Sequence, residues 1–203
     1  MEERRLKPLK VRGRVEMPKD AWNTRATTFE KNVEKHIGNV KVLLLGPGYP
    51  EGQLEIRTQI ADRLEKDGCD IYIMETMSPI SSFNIDEKFR DILNEIRPEL
   101  IICVFTKEGA PHGVIYEVGF ICGHYGIDQA LSCLRFCFHN ELEKIKNIPA
   151  YLYFLLSRTQ YWEFYDEGKG PTLYTRIIQL IRDEVVRQYC PTDLSDKTKT
   201  PRE

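Results

Sequence analysis

Apolar residues recur along this chain in two rhythms. Apolar runs from Val40 to Leu45 (interrupted at Lys41), Ile71 to Met74 and Leu100 to Phe105 have the length and branched content of strands buried on both faces. Between them the spacing turns helical. Ile56, Ile60 and Leu64 step by four toward Gly68, and Ile85, Phe89, Ile92, Leu93 and Ile96 form an amphipathic stripe stopped before Pro98. Ala130 to Phe138 predicts a fourth strand, in which Leu131, Cys133, Arg135 and Cys137 alternate with Ser132, Leu134, Phe136 and Phe138. Residues 141–156 predict a helix broken at Pro149, and Gln160 to Tyr165 predicts a fifth strand. Leu173, Tyr174, Ile177, Ile178, Ile181, Val185 and Tyr189 mark a final amphipathic helix. Residues 24–37 predict a short helix ending at Gly38.

This alternation predicts an α/β fold, a five-stranded doubly wound parallel sheet of flavodoxin-like order 2-1-3-4-5 with helices on both faces. In that order the first and third strands are neighbours whose connections leave on opposite faces. The crevice therefore falls between the loop Gly46 to Gly52 and the segment Thr106 to Gly113. Residues 40–190 make the α/β domain. Residues 1–39 read as a basic, proline-interrupted arm followed by the short helix, and 191–203 as a disordered tail.

The helix after the third strand draws the eye. Val114, Val118, Ile121 and Tyr125 form its inward face, and Glu117 projects at the edge of that face, in or near the first turn, where free N–H groups and the helix dipole favour a carboxylate. Gly119, Gly123 and Gly126 each cost such a helix about 1 kcal/mol against alanine, which predicts close backbone packing there.

Composition narrows the classes. The 203 residues carry 29 basic and 31 acidic side chains, a formal net charge of −2, which recommends neither nucleic acid nor an anionic membrane as partner. With no apolar run near 18 residues and no signal-peptide pattern, a soluble cytoplasmic protein is the expectation. The spare arm leaves homo-oligomerisation open. Five of the six cysteines lie in apolar segments as small hydrophobes, there is no CxxC pair, and Cys133, Cys137 and His139 on one strand lack the turn of a zinc site, so no metal is expected.

The first loop spaces Gly46, Gly48 and Gly52 as GxGxxxG, one residue longer than the dinucleotide fingerprint, and Glu75 ends the second strand where a ribose-binding acid would sit. Phosphate cradling fits this loop better than oxidoreductase chemistry. There is no Gly-Lys-Ser/Thr ending and no GxSxG, which excludes a P-loop and a nucleophile elbow. Arg135, in an inner strand, predicts an ion pair or an exposed edge.

Leu43-Leu44-Leu45-Gly46-Pro47, paired with Gly113-Val114-Ile115-Tyr116-Glu117-Val118-Gly119-Phe120, resembles the nucleoside deoxyribosyltransferase family, whose first strand ends in a similar Gly-Pro turn and whose catalytic helix reads GTxxExG. The second stretch also resembles bacterial and archaeal Toll/interleukin-1-receptor-like (TIR-like) nucleotide-binding domains and their NVxFExGxxxG pattern, matched at Gly113-Val114, Tyr116-Glu117, Gly119 and Gly123. The similarity spans roughly residues 40–138. In both families the matching glutamate cleaves an N-glycosidic bond, which implies that role for Glu117. Where the transferases place an aspartate before GTxxExG, this chain has Ala110-Pro111-His112, with Glu108 nearby; this departure and the glycine-rich loop favour a nucleotide over a deoxynucleoside.

The expectation is a hydrolase or transferase acting on a nucleoside or nucleotide, NAD among them, with the nucleotide as substrate and no separate cofactor. Glu117 acts as nucleophile or charge stabiliser at an oxocarbenium-like centre. Gly46, Pro47, Gly48 and Tyr49 hold phosphate or ribose, Tyr49, Met77 and Phe83 flank the base, and Thr106, His112 and Gly113 line the crevice. The alternative is a catalytically silent nucleotide-binding sensor using the same crevice.

Overall fold

Five parallel strands pair in the order β2-β1-β3-β4-β5, as the alternation of the sequence predicts. They are β1 (Lys41–Leu45), β2 (Asp70–Tyr72), β3 (Leu100–Phe105), β4 (Leu134–His139) and β5 (Trp162–Tyr165). The computed structural model describes residues 19–77, 85–144, 150–159 and 161–190. Among the described residues, seven α-helices cover the sheet: α1 (Lys19–His36), α2 (Gln53–Lys66), α3 (Ile85–Ile96), α4 (His112–Tyr125), α5 (Ile127–Cys133), α6 (Ala150–Arg158) and α7 (Leu173–Tyr189). None of the described helices is long and apolar enough to cross a membrane.

The central strands β1 and β3 are almost wholly apolar because both of their faces are covered. Leu43, Leu45, Ile101, Cys103 and Phe105 face α3, α4, α5 and α6, whereas Val42, Leu44, Ile102 and Val104 face α1, α2 and α7. Leu43 stands opposite Ile101 and Tyr72, so β1 lies in the middle of three strands, with its C-terminal end beside that of β3. Helix α1 puts Val33, and the turn after it puts Ile37, into the second of these cores.

Several elements differ from the sequence reading. The helix before Gly38 is longer than 24–37 predicts, starting at Lys19, and passes into a 3-10 turn at Ile37–Asn39. The expected strand from Ala130 is half helix: α5 runs to Cys133, its Ala130 and Cys133 both packing inward, and β4 begins only at Leu134. Cys133 and Cys137 therefore do not share a strand. The second strand stops at Tyr72, and Met74–Thr76 forms a 3-10 turn. The predicted helix 141–156 is a 3-10 turn at Asn140–Lys144 followed by α6; Pro149 lies outside the described residues. The N-terminal part of the arm and the tail from 191 also lie outside them.

Arg135 forms the predicted ion pair. Its Nη2 lies 3.2 Å from Glu184 Oε2 on α7, Nη1 donates to the carbonyls of Ser132 and Leu134, and the guanidinium stacks 4.0 Å from the Tyr161 ring centroid.

Candidate active site

The inward stripe of α2 is Gln53, Arg57, Ala61 and Leu64, rotated from the Ile56, Ile60 and Leu64 stripe that apolarity alone predicts; Ile56 is exposed. The rotation takes Arg57 into the protein, where it is 1% exposed. A buried guanidinium needs partners. Nη2 donates to Glu75 Oε1 at 2.5 Å and to the Pro47 carbonyl at 3.3 Å, and Nη1 donates to Glu75 Oε2 at 3.1 Å. Its Nε is buried and unpaired. Room for the side chain comes from Gly46 at the end of β1, where a Cβ would lie 2.6 Å from Arg57 Cδ. Gly46 thus admits an arginine, where the sequence reading expected it to cradle phosphate.

Glu117 is the sixth residue of α4, past the first turn, so it lies beyond the free N–H groups expected to stabilise it. Its Oε2 is buried and has no hydrogen-bond partner among the described residues. Burial, and then the charge of Glu75, push the Glu117 carboxyl up to about 8, against the attraction of Arg57. Glu75 holds both Nη groups of Arg57. Glu117 is therefore mostly a neutral acid at pH 7 and gains charge just above it, within reach of proton-transfer or carboxylate chemistry.

The loops after β1 and β3 are latched. Gly109 N donates to Thr106 Oγ1 (2.9 Å), the Thr106 hydroxyl donates to Gln53 Oε1 (2.5 Å), and Ala110 N donates to the Tyr49 carbonyl (2.9 Å). A Cβ at Gly109 would lie 2.2 Å from Pro47 Cγ, so glycine is required for the loops to meet. Thr106 thereby faces α2 and lines a separate cavity of about 620 Å³ with Gln53, Arg63, His139, Tyr165 and Glu167. Arg63 and Lys107 are balanced there by Glu108 and Glu167, which gives that cavity no net preference for an anion.

Of the predicted site residues, Gly46 and Pro47 surround Arg57, and Glu117 completes the charge cluster. Gly48 has open space where a Cβ would stand, and Tyr49 is 73% exposed. Met77 packs half-buried against the core under α3 and α4. His112 and Gly113 are exposed at the start of α4. Phe83 lies outside the described residues. Among the described residues the close packing expected along α4 is not found: a Cβ at Gly113, Gly119, Gly123 or Gly126 would meet none of their atoms within 4 Å.

Sequence reasoning missed Arg57 and Gln53 as site residues. The signal was the spacing of positions 53, 57, 61 and 64, a helical stripe visible only if polar residues are admitted to it. No protein-family profile matches the chain, and no curated protein matches it in sequence.

Proposed function

We propose that the protein cleaves or transfers the N-glycosidic bond of a nucleoside or nucleotide, NAD among them, through Glu117. The observation that carries this reading is the buried Oε2 of Glu117, without a hydrogen-bond partner among the described residues and subject to the charges of Glu75 and Arg57. In the reaction the bond from C1′ to the base nitrogen breaks and its electron pair leaves with the base. The ionised Glu117 carboxylate faces the positive charge that develops on the sugar, or forms an ester with C1′; water or an acceptor hydroxyl then bonds to C1′ and gives up a proton. A carboxylate in a low-dielectric site stabilises such charge more strongly than one in water.

Incubation with NAD and with nucleosides, following free base, tests the reading. Release by wild type and its loss in Glu117→Gln are expected; no release, or equal release by the variant, removes it. A second reading, a binding module without turnover, is favoured by the raised pKa, which keeps most Glu117 protonated at neutral pH. Recovery of tightly bound nucleotide intact would select it.

A further inference from the structure

The C-terminal ends of β3, β4 and β5 open onto the cavity of about 620 Å³ between α2 and α7, on the sheet face opposite α4. This end of a doubly wound sheet, and cavities of this size, are where such folds hold small molecules. The floor presents two hydrogen-bond donors. Gln53 is 5% exposed, and its amide is oriented by the chain that starts at Gly109 N. Thr106 Oγ1 accepts from that amide and donates to Gln53 Oε1, so Gln53 Nε2 is turned away from Thr106 and has no partner among the described residues. His139 ends β4. Its Nδ1 accepts from Glu141 N at 3.2 Å, which puts the proton of the neutral ring on Nε2, again without a partner among the described residues. The imidazole stands edge-on to buried Tyr165, with 5.3 Å between centroids.

The rim has the opposite character. Glu108 and Glu167 are exposed there, and only Oε1 of Glu167 is engaged, by Leu173 N at 3.1 Å. Lys107, also at the rim, is paired with Glu141 at 3.0 Å, so it does not draw an anion past the two acids. On the wall, Ile56 and Ile60 lie with Arg63, whose guanidinium carbon sits 3.5 Å from the Tyr174 ring centroid. A guanidinium stacked on one ring takes a second on its other face. We propose that this cavity is a second binding site, for an uncharged nucleoside. The carbonyl oxygen of the base accepts from Gln53 Nε2 and His139 Nε2, the ring lies against Arg63, and the sugar hydroxyls donate to Glu108 and Glu167. A phosphate would meet those carboxylates, and an apolar ring would leave both donors unused. The site does not involve Glu117 and stands or falls apart from the glycosidic reading.

Uridine titrated into the wild type and into Glu117→Gln, which cannot consume it by the proposed reaction, tests the site by nitrogen-15 NMR. In both proteins the Gln53 side-chain NH2 signal, assigned through its loss in Gln53→Glu, moves and saturates together with the Leu173 amide at the cavity floor. Gln53→Glu keeps an oxygen for Thr106 and replaces the NH2 with a second oxygen. His139→Phe keeps a ring and removes its donor. Each weakens uridine about tenfold, read from the Leu173 signal, as the loss of one hydrogen bond does. Uridine 5′-monophosphate, read from the same signal, binds more weakly than uridine. A Gln53 signal unmoved at millimolar uridine, unchanged affinity in His139→Phe, or tighter binding of the phosphate overturns the proposal. Should Gln53→Glu fail to fold, His139→Phe and the phosphate comparison decide. Base release with an unmoved Gln53 signal removes this site and leaves the glycosidic reading; saturation here without base release does the reverse.

Discussion

Arg57 crosses the end of β1 through the space that Gly46 leaves: any Cβ at position 46 would sit 2.6 Å from Arg57 Cδ and 2.9 Å from its Nε. Gly46, read in the sequence as part of a phosphate loop, is also the condition for burying this cation beside Glu75.

Gly46→Ala therefore has a defined consequence. The methyl group and the guanidinium cannot share the space, and Arg57 is fixed by three hydrogen bonds, so it yields only by losing some of them. Overpacking of this kind costs about 1–3 kcal/mol. Urea denaturation should show a lower midpoint with an unchanged slope; an unchanged midpoint would mean that Arg57 moves aside freely.

Glu117 makes stability depend on pH in the direction opposite to an ordinary ion-paired acid. Its folded pKa, about 8, lies above the unfolded value near 4.5, so the folded state holds a proton that the unfolded state has lost between those values. Stability is full below about pH 4.5 and declines as pH rises toward 8, at about 1.4 kcal/mol per pH unit at most. Glu117→Gln lacks this decline. The difference in melting temperature between wild type and variant should grow in favour of the variant from pH 5 to pH 8. Parallel curves would place Glu117 in water.

The order of the sheet was legible because short, mostly apolar strands alternate with helical stripes, a pattern that leaves few topologies. The boundary at Leu134 was not, since a strand covered on both faces accepts Ala130 on one side and Cys133 on the other, whereas the three-residue step puts both on the inward face of the helix that they occupy. Glu117 stood out because a charge edged an apolar face. Arg57 did not, because a charge among Ile56, Ile60 and Leu64 reads as the solvated side of the helix. Its burial is decided by Glu75, 18 residues away in sequence, and by the missing side chain at Gly46. Such a choice of helix rotation is made by tertiary partners, and periodicity in one segment does not contain it.

Arg135 and Glu184 give a test of the sheet away from the site. Both side chains are nearly fully buried, at 4% and 1% exposure. Burial opposes the charge on Glu184, but hydrogen bonds from Arg187 and Gln188 and the charges of Arg187 and Arg135 hold its carboxyl below the usual value. Arg135→Met should cost about 3 kcal/mol by leaving that carboxylate without its buried cation. The double variant Arg135→Met with Glu184→Leu should regain part of the loss in thermal denaturation. A double variant no more stable than the single would assign the cost to packing against Tyr161 rather than to charge.

Thr106 is the hinge pin of the latch between the two central loops, and its hydroxyl does two things at once. It accepts from Gly109 N and must therefore give its own proton to Gln53 Oε1, which fixes the direction of the chain from backbone amide to hydroxyl to side-chain amide. Valine fills the same volume and offers neither function, leaving Gly109 N and the buried Gln53 carbonyl oxygen without partners. Each such loss costs about 1–3 kcal/mol, whereas serine keeps both bonds. Thr106→Val should lower the denaturation midpoint and speed hydrogen exchange at the Gly109 amide, with Thr106→Ser close to wild type in both. If valine and serine behave alike, the contact of Pro47 with Gly109 and the bond from Ala110 N to the Tyr49 carbonyl hold the loops together without the hydroxyl.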